Sequence, residues 1–260
     1  MKRFILLYVI SIFIFPACSE HITTNDYKDL KFEDLGINMI YVEGGVFQMG
    51  KVLEVTDDKK DYADEIPADT VTLDSYYIAE TEVTQAQWRA VMGNNPSYYL
   101  GDDRPVESVS WKDVQEFCRR LSELTGEVFV LPTEAQWEYA ARGGNNSEGY
   151  TYSGSDNIDE VAWYSANSHN LTLPVGQKLP NELGLYDMSG NVWEWCSDWY
   201  GEYGSSSQTN PTGPSSGSAR VLRGGSWGSS NKHCRVLNRD SSEPSYSNSF
   251  IGFRVVRLLL

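Results

Sequence analysis

The residues at 225–234, G-S-W-G-S-S-N-K-H-C, place Trp227 and Cys234 among small polar residues. A tryptophan and a thiol in such a segment can belong to an active site or to a contact surface. The spacings of the cysteines and histidines match neither a zinc site nor a histidine-ligated metal. Those residues are Cys118, Cys196 and Cys234, and the scattered His21, His169 and His233.

The first residues of the chain predict export. Lys2 and Arg3 precede an apolar run at residues 4–15. A run of that length is too short to span a membrane, but it matches the core of a signal peptide. We therefore expect residues 1–17 to be removed as a signal peptide.

Cys18 follows a small residue at the expected cleavage point, where cleavage would make it the new N-terminus. We interpret it as the lipid-accepting cysteine of a bacterial lipoprotein, and a plain secretory signal is the alternative. Residues 18–37 are polar and weakly patterned, which suits a lipid-anchored tether. Residues 38–260 then form the folded domain, anchored in a membrane and facing the periplasm or the cell surface.

The charge balance excludes some partners. Cleavage of the signal peptide would remove Lys2 and Arg3 from the 21 basic residues. The mature chain would then have 36 acidic and 19 basic residues, a net charge of −17. That charge repels phosphate backbones and anionic bilayers. We therefore expect no nucleic-acid partner, and contact with a membrane through the lipid anchor only.

Three short helices are predicted from their first turns. Each begins with a hydroxyl residue that is followed three positions later by Gln or Asp, so that each side chain can bond the backbone N–H of the other. In the second helix, apolar residues recur at helical spacing, Gly126 supplies a left-handed end, and Cys118 lies on the apolar face as a core residue. The pairs are Thr84 and Gln87, Ser110 and Asp113, and Thr133 and Gln136.

Short strands and irregular segments account for the rest of the domain. The loop between Tyr200 and Ala219 is rich in Gly, Ser and Pro and too polar to pack. The length beyond residue 38 suits one domain, and the pattern indicates the α+β class. Strands are predicted at residues 39–42, 71–73, 76–78, 220–223 and 252–256.

Seven blocks carry a family resemblance: Y-V-E-G-G-V-F-Q-M-G (41–50), T-V-T-L-D-S-Y-Y-I-A-E-T-E-V-T-Q-A-Q-W (70–88), P-V-E-S-V-S-W-K-D-V-Q-E-F-C (105–118), L-P-T-E-A-Q-W-E-Y-A-A-R-G-G (131–144), G-L-Y-D-M-S-G-N-V-W-E-W-C-S-D-W-Y (184–200), R-V-L-R-G-G-S-W (220–227) and G-F-R-V-V (252–256). In this order they resemble the formylglycine-generating-enzyme, or sulfatase-modifying-factor, domain. The resemblance implies an α+β, C-type lectin-like fold of the formylglycine-generating-enzyme type, irregular, with short strands and a few short helices.

The resemblance also implies a structural calcium site in the segment D-M-S-G-N-V-W-E. Asp187 and Glu194 would supply carboxylates, and backbone carbonyls would come from the region of Ser189, Gly190 and Val192. Hard oxygen ligands from one tight loop suit Ca²⁺. The alternative is that both acids cap the loop or form ion pairs in it.

Catalytic members of the family carry two cysteines, five residues apart, shortly after the G-G-S-[FW] motif, and these bind Cu(I). Aligned on that motif, this chain has Ser229 at the first position and Cys234 at the second. A serine hydroxyl is a hard, weak ligand that cannot replace a thiolate at a soft copper site. We therefore expect neither copper nor a confident catalytic residue, although Ser226 and Trp193 match other active-site positions and keep the enzyme alternative open.

The resemblance leaves two roles for Cys234. Both its motif and that of Cys196 line the central region of the fold, so a disulfide between them is one expectation. A buried free thiol is the other.

The segment from 225 to 254 resembles the variable proteins of diversity-generating retroelements, which use the same fold and a frame of the form G-G-S-W…C-R…N-R…P…G-F-R. In those systems asparagine codons of the template change to any codon that ends in C. Most residues between 228 and 250 can arise in that way, while Lys232 and Glu243 cannot. The predicted ligand-binding residues are Ser229, Ser230, Asn231, His233, Asp240, Ser242, Ser245, Tyr246, Asn248 and Phe250.

Small polar residues and tyrosine are typical of adaptable binding loops on a rigid scaffold. The sequence therefore predicts a surface-anchored, non-catalytic ligand-binding protein whose contact face is formed by residues 228–250. Its partner would be a protein or glycan outside the cell. The alternatives are a formylglycine-generating or related oxidoreductase, and a polar surface loop without a ligand.

Overall fold

The computed structural model describes residues 35–51, 64–66, 69–204 and 206–259. The predicted signal peptide, Cys18 and most of the predicted tether lie outside the described residues. Among the residues that are described, no helix has the length and apolarity needed to cross a membrane.

Four α-helices occur in the described chain, and three of them begin at the predicted capping boxes. α1 is Gln85–Met92, α2 is Trp111–Thr125, α3 is Glu134–Ala141 and the short α4 is Ile158–Val161. At Thr84, Ser110 and Thr133 the hydroxyl accepts from the third helical N–H, while the Gln or Asp side chain at that position accepts from the cap N–H. α2 ends at Gly126 with φ 76°. These sequence predictions are confirmed.

Eleven short strands in the described ranges form three sheets. The first sheet has the order β1 (Met39–Val42), β4 (Tyr76–Ala79), β11 (Val256–Arg257) and β5 (Phe129–Val130). The second has the order β10 (Ile251–Gly252), β6 (Trp193–Trp199), β8 (Arg220–Arg223) and β9 (Arg239–Ser242). The third has the order β2 (Gly45–Met49), β3 (Asp69–Leu73) and β7 (Gln208–Thr209).

The prediction of one strand at residues 252–256 is wrong. The chain leaves the second sheet after β10 and enters the first sheet at β11, and Arg254 between them turns inward to a buried carboxylate. Gly252 permits this passage, because a Cβ there would lie 2.5 Å from the carbonyl oxygen of Val106. The seven-residue β6, the longest strand, was not predicted as a strand.

Three hydrophobic clusters form the core of the described residues, and two of them are large. In the first, Trp88 stacks on Phe117 with ring centroids 5.3 Å apart, and Phe253 meets both rings edge-on. Cys118 belongs to this cluster, as predicted. The second cluster surrounds Trp137 and packs the first and third sheets against α3.

Buried ion pairs join these layers. Three arginines lie below 10% exposure beside equally buried glutamates. A charge in such a position is stable only when its donors and acceptors are satisfied. The pairs are Arg254 with Glu194, Arg239 with Glu134, and Arg223 with Glu138.

We predict that Arg254→Met destabilises the domain by about 3–5 kcal/mol, because it leaves Glu194 buried without its charged partner. Arg89→Met is the matched control, since the Arg89–Asp102 pair is exposed and such pairs contribute about 0–1 kcal/mol. Urea unfolding of both variants measures the difference. Equal, small losses would contradict the structural role assigned to Arg254.

Candidate ligand-binding site

The contact face, residues 228–250, separates into a buried frame and an exposed remainder. Its buried members are Cys234, Val236, Asn238 and Arg239. The exposed members are Gly228, Ser230, Asn231, Lys232, His233, Asp240, Glu243, Ser245, Tyr246 and Ser247. The predicted ligand-binding residues all belong to the exposed or half-buried part.

Both ends of the contact face are held by one short piece of backbone. The N–H of Trp227 donates to the carbonyl of Asn191 at 2.7 Å, and the N–H of Trp193 donates to the carbonyl of Phe250 at 2.7 Å. Ile251 then continues as β10, parallel to the start of β6. The segment between these anchors can change its side chains without moving its ends.

Aromatic packing makes the anchor rigid. The ring of Trp227 stacks on Phe250 at 4.3 Å and meets Tyr99 edge-on at 5.4 Å. Its indole N–H donates to the carbonyl of Ser249 at 2.8 Å, and its own carbonyl accepts from the hydroxyl of Ser168 at 2.7 Å. Trp227 is thus a structural residue under the face.

A depression of about 260 Å³ lies within the contact face. Its floor is formed by apolar residues of the second sheet: Trp193, Leu222 and Ile251. Six predicted ligand-binding residues line its rim: Ser229, Asp240, Ser242, Tyr246, Asn248 and Phe250. An apolar floor with a polar rim can hold a ligand that presents both a flat apolar surface and hydrogen-bonding groups.

Local hydrogen bonds order part of the rim. The amide of Asn248 donates to the hydroxyl of Tyr246 at 3.1 Å and accepts from the N–H of Phe250 at 3.0 Å. The carbonyl of Asn248 accepts from the N–H of Ser108 at 2.9 Å. Tyr246 is 49% exposed and therefore presents a large side chain that is already positioned.

Four predicted ligand-binding residues lie elsewhere on the face. Ser230, Asn231 and His233 stand at a short 3-10 helix, Asn231–Cys234, where the hydroxyl of Ser230 lies 3.2 Å from Nδ1 of His233. Ser245 is exposed in the loop after β9. These four do not line the depression and would contact only a ligand that covers the whole face.

Of the positions that match the family's active site, all but Cys234 lie together at the depression. Ser226, Ser229 and Trp193 line it, and the hydroxyls of Ser226 and Ser229 are 3.1 Å apart. Ser229 also accepts from the N–H of Ser226 at 3.0 Å. Cys234 is completely buried, and burial raises the pKa of its thiol to about 12. In the absence of a metal ion the thiol is therefore protonated at neutral pH.

The expected disulfide between Cys196 and Cys234 is absent from the structure, and this prediction requires correction. Both are free, buried cysteines. Cys196 packs in the cluster around Trp137, whereas Cys234 packs with Tyr152 and Val161. The alternative of buried free thiols describes the structure, because the two side chains fill separate parts of the core.

Glu194 does not fit the calcium set that the resemblance implies. Its carboxylate accepts from Nε and Nη2 of Arg254, both at 2.7 Å, and from the indole N–H of Trp137 at 2.8 Å. A guanidinium at that distance occupies the place a cation would need. The described residues contain no group of three or more His, Cys, Asp or Glu that could hold a metal ion.

Asp187 keeps the calcium prediction open. One of its oxygens accepts from the N–H of Gly176 at 2.7 Å, and the other is buried without a partner. Burial raises the pKa of this carboxyl to about 6. The nearby Ser189 hydroxyl instead donates to the carbonyl of Cys234 at 2.8 Å. Calcium binding stays a prediction that now depends on Asp187.

One further buried acid, Glu82, had no signal in the sequence. It is completely buried and accepts from the side-chain amide of Asn191 at 3.0 Å and from the N–H of Val192 at 3.2 Å. Burial, followed by the negative charges of Asp187 and Glu194, raises its pKa. Glu82 fixes the backbone that anchors the contact face.

The chain matches the family described as "Sulfatase-modifying factor enzyme 1-like domain" over residues 31–259. The chain belongs to this family. Its relatives include "Chaperone protein LppX" of Paenibacillus barcinonensis, which is 35% identical in an alignment covering 98% of this chain and 99% of that protein. They also include the formylglycine-generating enzyme of Streptomyces coelicolor, 37% identical over 66% of this chain and 58% of that enzyme. The chain therefore spans less than two thirds of the enzyme.

Two solved structures of similar shape confirm the fold class. "Treponema denticola variable protein 1" superimposes with a TM-score of 0.77 at 35% identity, covering 85% of this chain and 95% of that one. PvdO from Pseudomonas aeruginosa gives a TM-score of 0.72 at 30% identity and covers 85% and 94%. The irregular α+β, C-type lectin-like fold and the resemblance to variable proteins of this family are confirmed.

The copper expectation can be tested with one substitution. We predict that the purified protein binds Cu(I) weakly, because Ser229 replaces one of the two thiolates. Ser229→Cys would restore two cysteines five residues apart and should increase Cu(I) affinity in a competition assay with a chelating dye. Conversion of a cysteine-containing sulfatase peptide to formylglycine by the unmodified protein would contradict the expectation.

The calcium prediction is tested by chelation. If Asp187 holds an ion in the folded state, a chelator should lower the melting temperature, and added calcium should restore it by mass action. Asp187→Asn should remove this sensitivity while Ser189→Ala keeps most of it. An unchanged melting temperature of the unmodified protein in chelator would show that these acids are structural only.

Proposed function

We propose that this protein is a surface-anchored, non-catalytic ligand-binding protein whose contact face is residues 228–250. The observation that carries the proposal is the separation of this segment into buried frame residues and exposed polar or aromatic residues. Exposed changes leave the folded state almost unaffected, so the face can differ between related proteins while the scaffold stays the same.

The comparisons support a binding role. The Treponema denticola relative is called a variable protein, and its similarity extends over 85% of this chain. The Paenibacillus relative is called a chaperone protein. Neither name mentions catalysis, and both chains are matched over almost their whole length.

A protein or a glycan outside the cell is the partner we propose. Tyr246 and Phe250 offer ring surfaces at the depression, and Asp240, Ser242 and Asn248 offer hydrogen-bonding groups around them. Tyrosine with small polar neighbours forms adaptable contact surfaces at low conformational cost. The excess of acidic residues argues against a nucleic-acid ligand.

Export and anchoring are part of the proposal. The signal-peptide pattern and the position of Cys18 predict a bacterial lipoprotein, with the domain in the periplasm or at the cell surface. The tether would be residues 18–37, of which Leu35 and Ile37 are buried in the core of the domain. Mass spectrometry of the N-terminus of the exported protein tests this through a lipid-modified Cys18.

An oxidoreductase of the formylglycine-generating type is the second candidate. It is favoured by one observation, that Trp193, Ser226 and Ser229 line the same depression. Ser229 argues against it, because a serine hydroxyl cannot replace the first of the two thiolates that Cu(I) needs.

The gene itself offers a direct test of the variable face. If the face varies as proposed, the genome should hold a near-copy of the 3′ end of this gene, differing only at template adenines and lying beside a reverse transcriptase. If the complete genome contains no such copy, the variable-protein interpretation is wrong, and the face would be a binding surface of fixed sequence.

We predict that frame and face residues differ sharply in their effect on stability. Ser230→Ala, Asn231→Ala and Ser245→Ala should each change the free energy of unfolding by no more than about 0.5 kcal/mol, because these side chains are exposed. Trp227→Ala and Phe253→Ala should each cost about 3–5 kcal/mol, because both rings are buried. Denaturant unfolding provides the measurement.

The same variants test binding. Glycan and peptide arrays identify a ligand of the unmodified protein, and Asp240→Ala or Tyr246→Ala should weaken that interaction without loss of folding. If Ser230, Asn231 and Ser245 substitutions unfold the domain as severely as Trp227→Ala, the segment is structural core and the proposed contact face is wrong.

A further inference from the structure

A second cavity, of about 280 Å³, lies away from the depression of the contact face. Its lining residues come from β2, β3, the start of α3, the end of β6, β7, β9 and the loops at residues 201–204 and 211–214. The frame residue Arg239 is the member of the contact-face segment that lines it. Its apolar walls include Met49, Val71, Ala135 and Pro214.

Asp198 at the end of β6 lines this cavity and is only 4% exposed. Its Oδ2 accepts from the backbone N–H of Glu134 at 3.0 Å and from the hydroxyl of Ser197 at 2.9 Å. No donor for Oδ1 exists among the described parts of the chain. Oδ1 does not belong to the buried atoms that lack a partner, so it is open to the cavity, where water or a ligand can bond to it.

Asp69 supplies a second acidic group on another wall. It is 7% exposed, and its Oδ2 accepts from the side-chain amide of Gln208 at 3.0 Å. In the part of the protein that is described, no donor reaches its Oδ1. The exposed Glu202 adds a third carboxylate at the rim.

Arg239, the basic residue that lines the cavity, is already paired with a carboxylate. Arg239 donates from Nε and Nη2 to both oxygens of Glu134, at 2.6 and 2.8 Å, and from Nη1 to the carbonyls of Asp64 and Gly201. Its hydrogen bonds thus go to Glu134 and to two backbone carbonyls, and it acts on Asp198 only through its charge, which lowers the pKa of that carboxyl. Burial, and then the charge of Glu134, raises the pKa of Asp198 to about 7.

The backbone keeps the free oxygen accessible. Gly213 has φ +71°, and a Cβ there would lie 3.1 Å from Oδ1 of Asp198 and 2.9 Å from its Cβ. A side chain at this position would press on the carboxylate. The glycine lets the segment cross over Asp198 at close range without filling the space beside the oxygen.

We propose that the second cavity binds a primary alkylammonium group, with its nitrogen at Asp198 and Asp69 and its hydrocarbon chain against Met49 and Val71. One positive charge with three N–H donors suits two carboxylates that each have a free oxygen. A short hydrocarbon chain suits the apolar walls, which would not solvate a metal ion. The described residues also lack a cluster of three metal-ligating side chains. The group is carried either by a free amine or by a lysine side chain, and this site shares no lining residue with the depression of the contact face.

The test uses the full-length exported protein and defined probes. n-Butylammonium and Nα-acetyl-lysine N-methylamide are titrated by ligand-observed NMR, with 1-butanol and butyrate as neutral and anionic isosteres. Butylammonium should bind at least about tenfold more tightly than 1-butanol, and Asp198→Asn should remove at least about tenfold of that affinity. Asp69→Asn should also weaken binding, and Glu148→Gln, at an exposed residue that does not line the cavity, is the matched control with little effect.

Each outcome supports or overturns the proposal. Binding of the free amine alone assigns the site to small amines, and binding of the blocked lysine alone assigns it to a lysine side chain. Equal binding of butylammonium and 1-butanol, no saturable binding of either cation, or unchanged affinity in folded Asp198→Asn would overturn it. If Asp198→Asn does not fold, as judged by circular dichroism, the affinity of Asp69→Asn decides in its place.

Discussion

The buried ion pair between Arg254 and Glu194 is the constraint on which the rest of the structure depends. Both residues are completely buried, and every oxygen and most donors of the pair are used. Arg254 also donates to the carbonyls of Ala79, Glu80 and Tyr186. One side chain thus joins the first sheet, the central strand β6 and a loop, because a charge placed in the core must find all its partners there.

That constraint positions the contact face. Glu194 fixes β6. Just before it, the backbone of Asn191 and Trp193 forms hydrogen bonds with Trp227 and Phe250, at the two ends of the segment 228–250. Arg254 fixes the chain immediately after β10. The face is therefore held at both ends by the same buried core, and its exposed residues make few contacts with the scaffold. Substitution of its exposed side chains should change stability little, whereas its buried members Cys234, Val236, Asn238 and Arg239 belong to the core.

Interactions between residues that lie close together in the chain could be predicted from the sequence. The capping boxes at Thr84, Ser110 and Thr133 predicted three helices, since the interacting groups lie within four residues of each other. The buried position of Cys118 followed from helical periodicity for the same reason. The family resemblance then predicted the fold, because the order of motifs is retained along the chain.

Interactions between distant residues were decided only by the tertiary structure. The family resemblance assigned Glu194 to calcium, but Arg254 lies 60 residues away and takes both of its oxygens. Cys196 and Cys234 were open to pairing, and the fold places them in separate clusters. The cavity at Asp198 also had no local signal, because its walls come from six separate elements, β2, β3, α3, β6, β7 and β9, and the loops beside them. The sequence by itself determined the helices, the family and the exposed segment, while the partners of buried charges depended on which side chains the folded core brings together.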